Sequence, residues 1–208
     1  MSIVTLVGNP REGSRTLAIA VRAAEAVAGR LRPAAGLADA AGASEGSSPA
    51  AGGSGEYGRA GDVVDLAALA PDLLAREPGP GVESALKLVL DAEVLVVASP
   101  TYKGTYTGLL KVFLDRLPHQ ALAGKTALPL LVMGDPKHSL AVEVHLRPLL
   151  VELGAFVPTP GLVVLDSVVP RDFGPDSGAT AVPELDDLLD RWAGQVVPRP
   201  PSSQEVPE

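Results

Sequence analysis

Runs rich in Val and Leu punctuate the chain at Ser2 to Val7, Asp62 to Leu66, Glu93 to Ala98, Thr126 to Met133 and Leu162 to Leu165. Most are apolar at successive rather than alternate positions, which predicts strands buried on both faces, as in a parallel sheet covered by helices. Between them the period lengthens to that of a helix. Leu17, Ala20, Val21, Ala24 and Val27 share one face of a predicted helix over Thr16 to Leu31. Val82, Leu86, Val89 and Leu90 form a second stripe, and Leu109, Leu110, Phe113, Leu114 and Leu117 a third. A fourth helix is expected from a cap at Ser139 to about Leu153, stopped by Gly154, and a last one over Pro183 to Val196. Strand and helix therefore alternate, which predicts a doubly wound α/β sandwich with right-handed crossovers. Five parallel strands suit the order 2-1-3-4-5, in which ligand binds outside the carboxyl ends of strands 1, 3 and 4. The loops after Val7, Ala98 and Val132 are the places to look for chemistry.

Two stretches fall outside this alternation. Pro33 to Gly61 is dominated by Ala, Gly, Ser and Pro, without sustained apolar periodicity, and reads as a disordered insertion offering few groups able to fix a ligand. Pro198 to Glu208 reads as a flexible tail. Residues 1–197 are thus expected to form a single domain.

Composition narrows the chemistry. The 208 residues contain no cysteine, which removes disulfide scaffolds, Cys-ligated metal sites and thiol catalysis, so any redox role needs a bound cofactor. The net charge of −8 argues against a broad nucleic-acid or anionic-membrane footprint, although local basic sites remain open. No apolar run approaches the ~20 residues that cross a bilayer, and the first residues read as a strand rather than a secretory signal. The expectation is a soluble cytoplasmic protein with no membrane or nucleic-acid partner.

The first strand runs into Gly8, Asn9, Pro10, Arg11, Glu12, Gly13, Ser14, Arg15 and Thr16 before a helix begins. Hydroxyls, a guanidinium and the N–H groups of a helix N-terminus together describe a phosphate cradle. The same residues also admit a plainer role, with Ser14 capping the helix and the arginines solvated. The loop lacks the Gly-Lys-Ser/Thr of a P-loop and the Gly-x-Gly-x-x-Gly of a dinucleotide site. After the third strand, Ser99 to Lys111 carries Pro100, Tyr102, Gly104, Tyr106 and Gly108. In a chain with only 3% aromatics, two tyrosines in a Pro/Gly turn suggest a wall for a planar ring with polar edges, or else core aromatics beside ordinary turns. Of the three histidines, His138 and His145 lie seven apart with Glu143 nearby, too far to chelate one ion without another ligand, and no metal is expected.

The segments GNPREGSRT (8–16), SPTYKGTYTGLLKVFLDRLP (99–118) and GKTALPLLVMG (124–134), in this order, closely resemble the NAD(P)H-dependent FMN reductase family of the flavodoxin-like superfamily. The likeness is strongest to its alkanesulfonate and methanesulfonate type. HSLAVEVHLRPLLVELGA (138–155) is similar to that group's fourth helix, and the resemblance covers about residues 2–32 and 62–165.

The resemblance implies FMN, with NADPH or NADH as co-substrate. It places the FMN phosphate at Arg11, Ser14, Arg15, Thr16 and the Leu17 amide, with Asn9 where a Ser is common. It assigns the ring and ribityl to Pro100, Thr101, Tyr102, Lys103 and Gly104, and the other side of the ring to Gly134 and Asp135. Lys103 would steer nucleotide phosphates or lie solvated. Hydride would pass from the nicotinamide to the flavin between stacked rings, with no catalytic side chain and with backbone N–H groups of the 100–104 loop stabilising the ring's developing negative charge. The reduced flavin would supply a partner monooxygenase. The same type of reductase uses its fourth helix as a subunit interface, which implies a homodimer or homotetramer. Some members carry a π-bulge there, at or beside His145 in this chain. The alternatives are a quinone, azo-dye or chromate reductase with tightly held FMN, and a flavin-binding electron carrier without nicotinamide activity.

Overall fold

The computed structural model describes residues 1–31, 61–170, 173 and 182–196. The expected insertion at 33–61, apart from Gly61, and the expected tail at 198–208 lie outside the described residues. Strands β1 (Ile3–Val7), β2 (Asp62–Asp65), β3 (Val94–Pro100), β4 (Thr126–Met133) and β5 (Leu162–Leu165) form one parallel sheet in the order β2-β1-β3-β4-β5, as the pattern predicted. Every residue of β1, β3 and β4 is buried, because helices cover both faces.

Alternate strand residues divide between two cores. Val7, Val96, Ala98, Leu128 and Leu130 face α1 (Arg15–Leu31) and the last helix, Pro183–Ala193. Leu6, Leu95, Val97 and Leu131 face the other side, which is built from α2 (Leu66–Leu69), α3 (Pro80–Asp91), α4 (Gly108–Leu114) and α5 (Arg147–Glu152). Counting along the chain, the last helix is α6. Phe113 of α4 is wholly buried in this second core, where truncating a Phe costs about 3–5 kcal/mol. Arg22 of α1 pairs with Asp186 of α6 at 2.9 Å and lies over the Phe173 ring, 4.8 Å from its centre.

Strand β3 runs two residues past its predicted end, so Ser99 and Pro100 belong to the sheet, with Pro100 opposite Val132. Pro129 sits inside β4 without breaking a ladder. Ala127 N–H donates to the Phe156 carbonyl, so the nitrogen two residues on faces the same edge, and there β5 pairing begins only at Leu130.

The fourth helical segment departs from the expected continuous helix. Asp135, not Ser139, provides the cap: its carboxylate accepts from Lys137 N–H over a 3₁₀ turn at Pro136–His138. A π-helical turn follows at Val142–Leu146 and includes His145, and α5 continues from Arg147. Pro148 supplies the reason, since it has no N–H to return to the preceding turn and its ring crowds the carbonyl four residues back. Gly154, at φ 90°, ends the segment as predicted. The widened turn is braced from the side. The Glu143 carboxylate accepts from Arg147 and, at 2.6 Å, from Gly161 N–H, while Arg147 donates to the carbonyls of Val157 and Thr159.

Candidate functional site

The carboxyl ends of β1 and β3 lie side by side, and three hydrogen bonds fix the loops that leave them. Gly8 N–H donates to the Ala98 carbonyl at 2.8 Å, which carries the β1–β3 pairing one residue further. The Gly8 carbonyl accepts the Thr107 hydroxyl at 2.5 Å, and that hydroxyl oxygen accepts Leu110 N–H at 3.1 Å as the cap of α4. Thr107 N–H in turn donates to the buried Ser99 hydroxyl at 3.0 Å, closing the base of the 100–106 loop. Gly8 is required sterically, since a Cβ there would stand 2.5 Å from Leu110 Cβ.

Within the first loop, Asn9 Oδ1 accepts Arg11 N–H and Asn9 Nδ2 donates to Thr16 Oγ1, both at 3.0 Å. Ser14 Oγ accepts Leu17 N–H at 3.2 Å. The expected cap is therefore real, and the Leu17 amide is engaged with Ser14. Capping does not compete with an anion site here. Ser14 and Thr16 each use a lone pair in these bonds, which leaves both hydroxyl protons to donate at the N-terminus of α1, where the helix dipole favours negative charge. Arg11 is exposed at the mouth of the loop. Arg15 reaches across the sheet to Asp166, just beyond β5, donating to its carboxylate at 2.5 Å and its carbonyl at 3.1 Å.

The β3 loop is a tight hairpin. Tyr102 and Thr105 exchange backbone hydrogen bonds around Lys103 and Gly104, whose φ values are 53° and 86°. The N–H groups of Lys103 and Gly104 fall outside that pairing and stand at its tip. Tyr102 is 43% exposed, so it is not a core aromatic, and Lys103 is exposed beside it. Thr101 N–H donates to the Val132 carbonyl at 2.7 Å, joining this loop to the end of β4, while Thr101 Oγ1 is buried without a hydrogen-bond partner.

The loop after β4 places Gly134 exposed and Asp135 half-buried. Asp135 pairs with Lys137 Nζ at 2.6 Å as well as with its amide, and those bonds hold its carboxyl below the usual carboxylate range. On the other flank, Asp65 ends β2 opposite Val7 and caps α2. Burial pushes its carboxyl up, its bond from Ala67 N–H works against this, and the charge of Glu12 adds to the rise. No three metal-ligating side chains cluster among the described residues.

The structure thus brings Asn9, Arg11, Ser14 and Thr16 together in one loop, and Pro100, Thr101, Tyr102, Lys103 and Gly104 along the neighbouring strand end. Arg15 is drawn towards β5, and Asp135 is turned to its own loop. Ser99, Thr107 and Asp166 complete the framework, and sequence reasoning passed over all three. Thr107 did carry a signal, a Thr just before an apolar helical run. Asp166 carried none, because its partner lies across the sheet.

The donor set fits FMN. Two hydroxyl protons, a helix N-terminus and Arg11 suit a phosphate dianion, while the hairpin amides, the exposed Tyr102 and the unpartnered Thr101 hydroxyl suit a planar ring with polar edges.

Known proteins resemble the chain in the same regions. A curated FMN reductase (NADPH) from Pseudomonas putida is 43% identical over 101 residues, 48% of this chain and 51% of that protein. Another FMN reductase (NADPH), from Escherichia coli, is 40% identical over 107 residues, 50% and 56% of the two chains. The chain spans about half the length of these curated relatives. An apo structure of the NADH:FMN oxidoreductase EmoB superposes with a TM-score of 0.62 at 29% identity, covering 96% of this chain and 91% of that one. The model of one family, described as NADPH-dependent FMN reductase, matches residues 1–169, a span holding both loops and the whole five-stranded sheet. The order of the strands, the two loops at the point where that order reverses, and this match agree, and the chain belongs to the NADPH-dependent FMN reductase family.

Proposed function

We propose that the chain oxidises a reduced nicotinamide nucleotide, NADPH or NADH, with FMN as the electron acceptor. FMN supplies a ring that accepts hydride from the nicotinamide C4 at its N5 position. The chain's own residues bind and align. Ser14, Thr16, Arg11 and the N-terminus of α1 would hold the phosphate, and the hairpin at Tyr102 to Thr105 would border the ring. The N–H groups of Lys103 and Gly104 would stabilise the negative charge that the ring gains on reduction. On the β4 side the exposed Gly134 would border the ring, while the Asp135 carboxylate stays engaged with Lys137. Hydride transfer between stacked rings needs proximity rather than a protein acid or base, so no side chain serves as a proton donor. The Lys103 ammonium, exposed at the hairpin tip, meets the phosphates of the nucleotide.

The observation that carries this reading is the joining of two donor-rich loops at the β1–β3 crevice through Gly8 and Thr107. The purified chain is mixed with FMN and each nucleotide in turn, and loss of the nicotinamide's near-ultraviolet absorbance is followed. FMN-dependent oxidation with at least one nucleotide is expected; none with either overturns the proposal.

Reduced flavin leaving the site would feed a flavin-dependent monooxygenase, and we place the activity in the cytoplasm, where the reduced nucleotides are held. Leu140, Val144 and Val151 on the fourth helical segment are 68%, 57% and 53% exposed. We assign this apolar face to contact with further copies of the chain, in a homodimer or homotetramer. Light scattering tests it, and a monomer throughout the micromolar range argues against it.

A further inference from the structure

Arg15 opens α1 beside the first loop, yet its guanidinium is held from the β5 edge of the sheet. Nη2 donates to the Asp166 carboxylate at 2.5 Å and Nη1 to the Asp166 carbonyl at 3.1 Å, although the two residues are 151 apart in sequence. A guanidinium carries five N–H donors in a fixed plane. Asp166 takes one from each terminal nitrogen, which leaves the Nε proton and one proton on each terminal nitrogen. The Nε proton and the remaining Nη2 proton form a fork of the kind that matches two phosphate oxygens.

We propose that Asp166 is a positioning residue that fixes the Arg15 guanidinium so that this remaining fork faces the phosphate of FMN, making the site selective for the phosphorylated flavin. The inference rests on the FMN reading and deepens it. The pair is partly exposed, with the two side chains 28% and 37% accessible, so as a salt bridge it adds little to stability. Its effect lies in orientation, because an arginine already held in one geometry loses less side-chain freedom when it binds an anion. Asp166 is suited to the task by its place in a short 3₁₀ turn, Asp166–Val168, directly after β5. The sheet therefore sets its carbonyl, and the same residue offers both acceptors.

The test is equilibrium binding of FMN and of riboflavin, each followed by quenching of the flavin's own fluorescence, in the full chain and in Asp166→Ala, Asp166→Asn and Arg15→Ala. Asp166→Ala is expected to weaken FMN about tenfold, the scale of one charge-assisted hydrogen bond, with riboflavin unchanged. Arg15→Ala is expected to do the same. Asp166→Asn keeps an acceptor of the same shape and is expected to recover most of the FMN affinity, which a purely structural role would not predict. Equal losses for both flavins, unchanged FMN binding in Asp166→Ala, or tighter FMN binding there would each overturn the inference while leaving the FMN reading intact. A wild-type chain that binds neither flavin overturns both.

Discussion

The Thr107 hydroxyl donates to the Gly8 carbonyl at 2.5 Å while accepting the amide of Leu110, so one side chain ties the end of β1 to the start of α4. The two candidate loops lie on either side of this junction and inherit its geometry. Thr107→Val removes both bonds and leaves a buried carbonyl and amide unpaired. Urea melts should show a loss of about 1–2 kcal/mol, the usual scale for a lost cap, and Thr107→Ser should retain most of the stability. A Thr107→Val protein as stable as wild type would contradict the role.

Gly8→Ala is the steric counterpart. The added methyl would lie 2.5 Å from Leu110 Cβ and 3.2 Å from its Cα, backbone that cannot swing aside. Displacing α4 should cost about 1–3 kcal/mol, the range for overpacking, and should weaken FMN and riboflavin alike. Thermal melts and flavin titrations check the two halves separately.

In the proposed site Arg11 would act through its charge. Arg11→Ala should weaken FMN about tenfold, as expected for one lost charge-assisted contact, and riboflavin hardly at all. Raising the salt concentration should narrow the gap between wild type and variant. Equal weakening of both flavins would place Arg11 outside the phosphate site.

The brace at the π turn should show itself in acid. Hydrogen bonds from Arg147 first, and from Gly161 N–H after it, hold the Glu143 carboxyl below its usual value, opposed by partial burial. A lowered folded-state value means the ionised form adds stability above the unfolded value of about 4.3, and this is lost as pH falls through the folded value. Glu143→Gln should therefore lower the melting temperature at neutral pH and flatten its decline below about pH 4.5. Parallel curves for the two proteins would show that the brace does not titrate.

Asp65 runs in the opposite direction. Burial raises its carboxyl, so the folded state binds the proton more tightly than the unfolded chain, and stability falls as pH rises from the unfolded value through the folded one. Asp65→Asn keeps an oxygen for Ala67 N–H without the charge. Its melting temperature should exceed that of wild type at neutral pH, and the advantage should vanish below about pH 4. A variant destabilised at neutral pH would show that the charge is compensated.

The fold was legible because both sheet faces are buried: uninterrupted runs such as Val94 to Ala98 have few other uses, and their alternation with helical stripes leaves few topologies. The candidate loops were legible because hydroxyls, arginines and glycines gather beside strand ends. Their hydrogen-bonding partners were not. Arg15 looks like any residue of a basic loop until β5 delivers Asp166 to it, and Gly8 looks like a turn glycine until Leu110 is seen against it. The irregular fourth helical segment was signalled by the resemblance, which put a π-bulge at or beside His145, whereas the apolar period reads as continuous helix and the missing N–H of Pro148 went unread.

Lys103 sits at φ 53° in the hairpin, a conformation that costs a side-chain-bearing residue about 1–2 kcal/mol and that glycine adopts readily. Shape alone would place Gly or Asn there. A redesign that answered only to backbone shape would therefore put Gly at 103 and relieve the strain, but it would strip the hairpin tip of its ammonium in the same step.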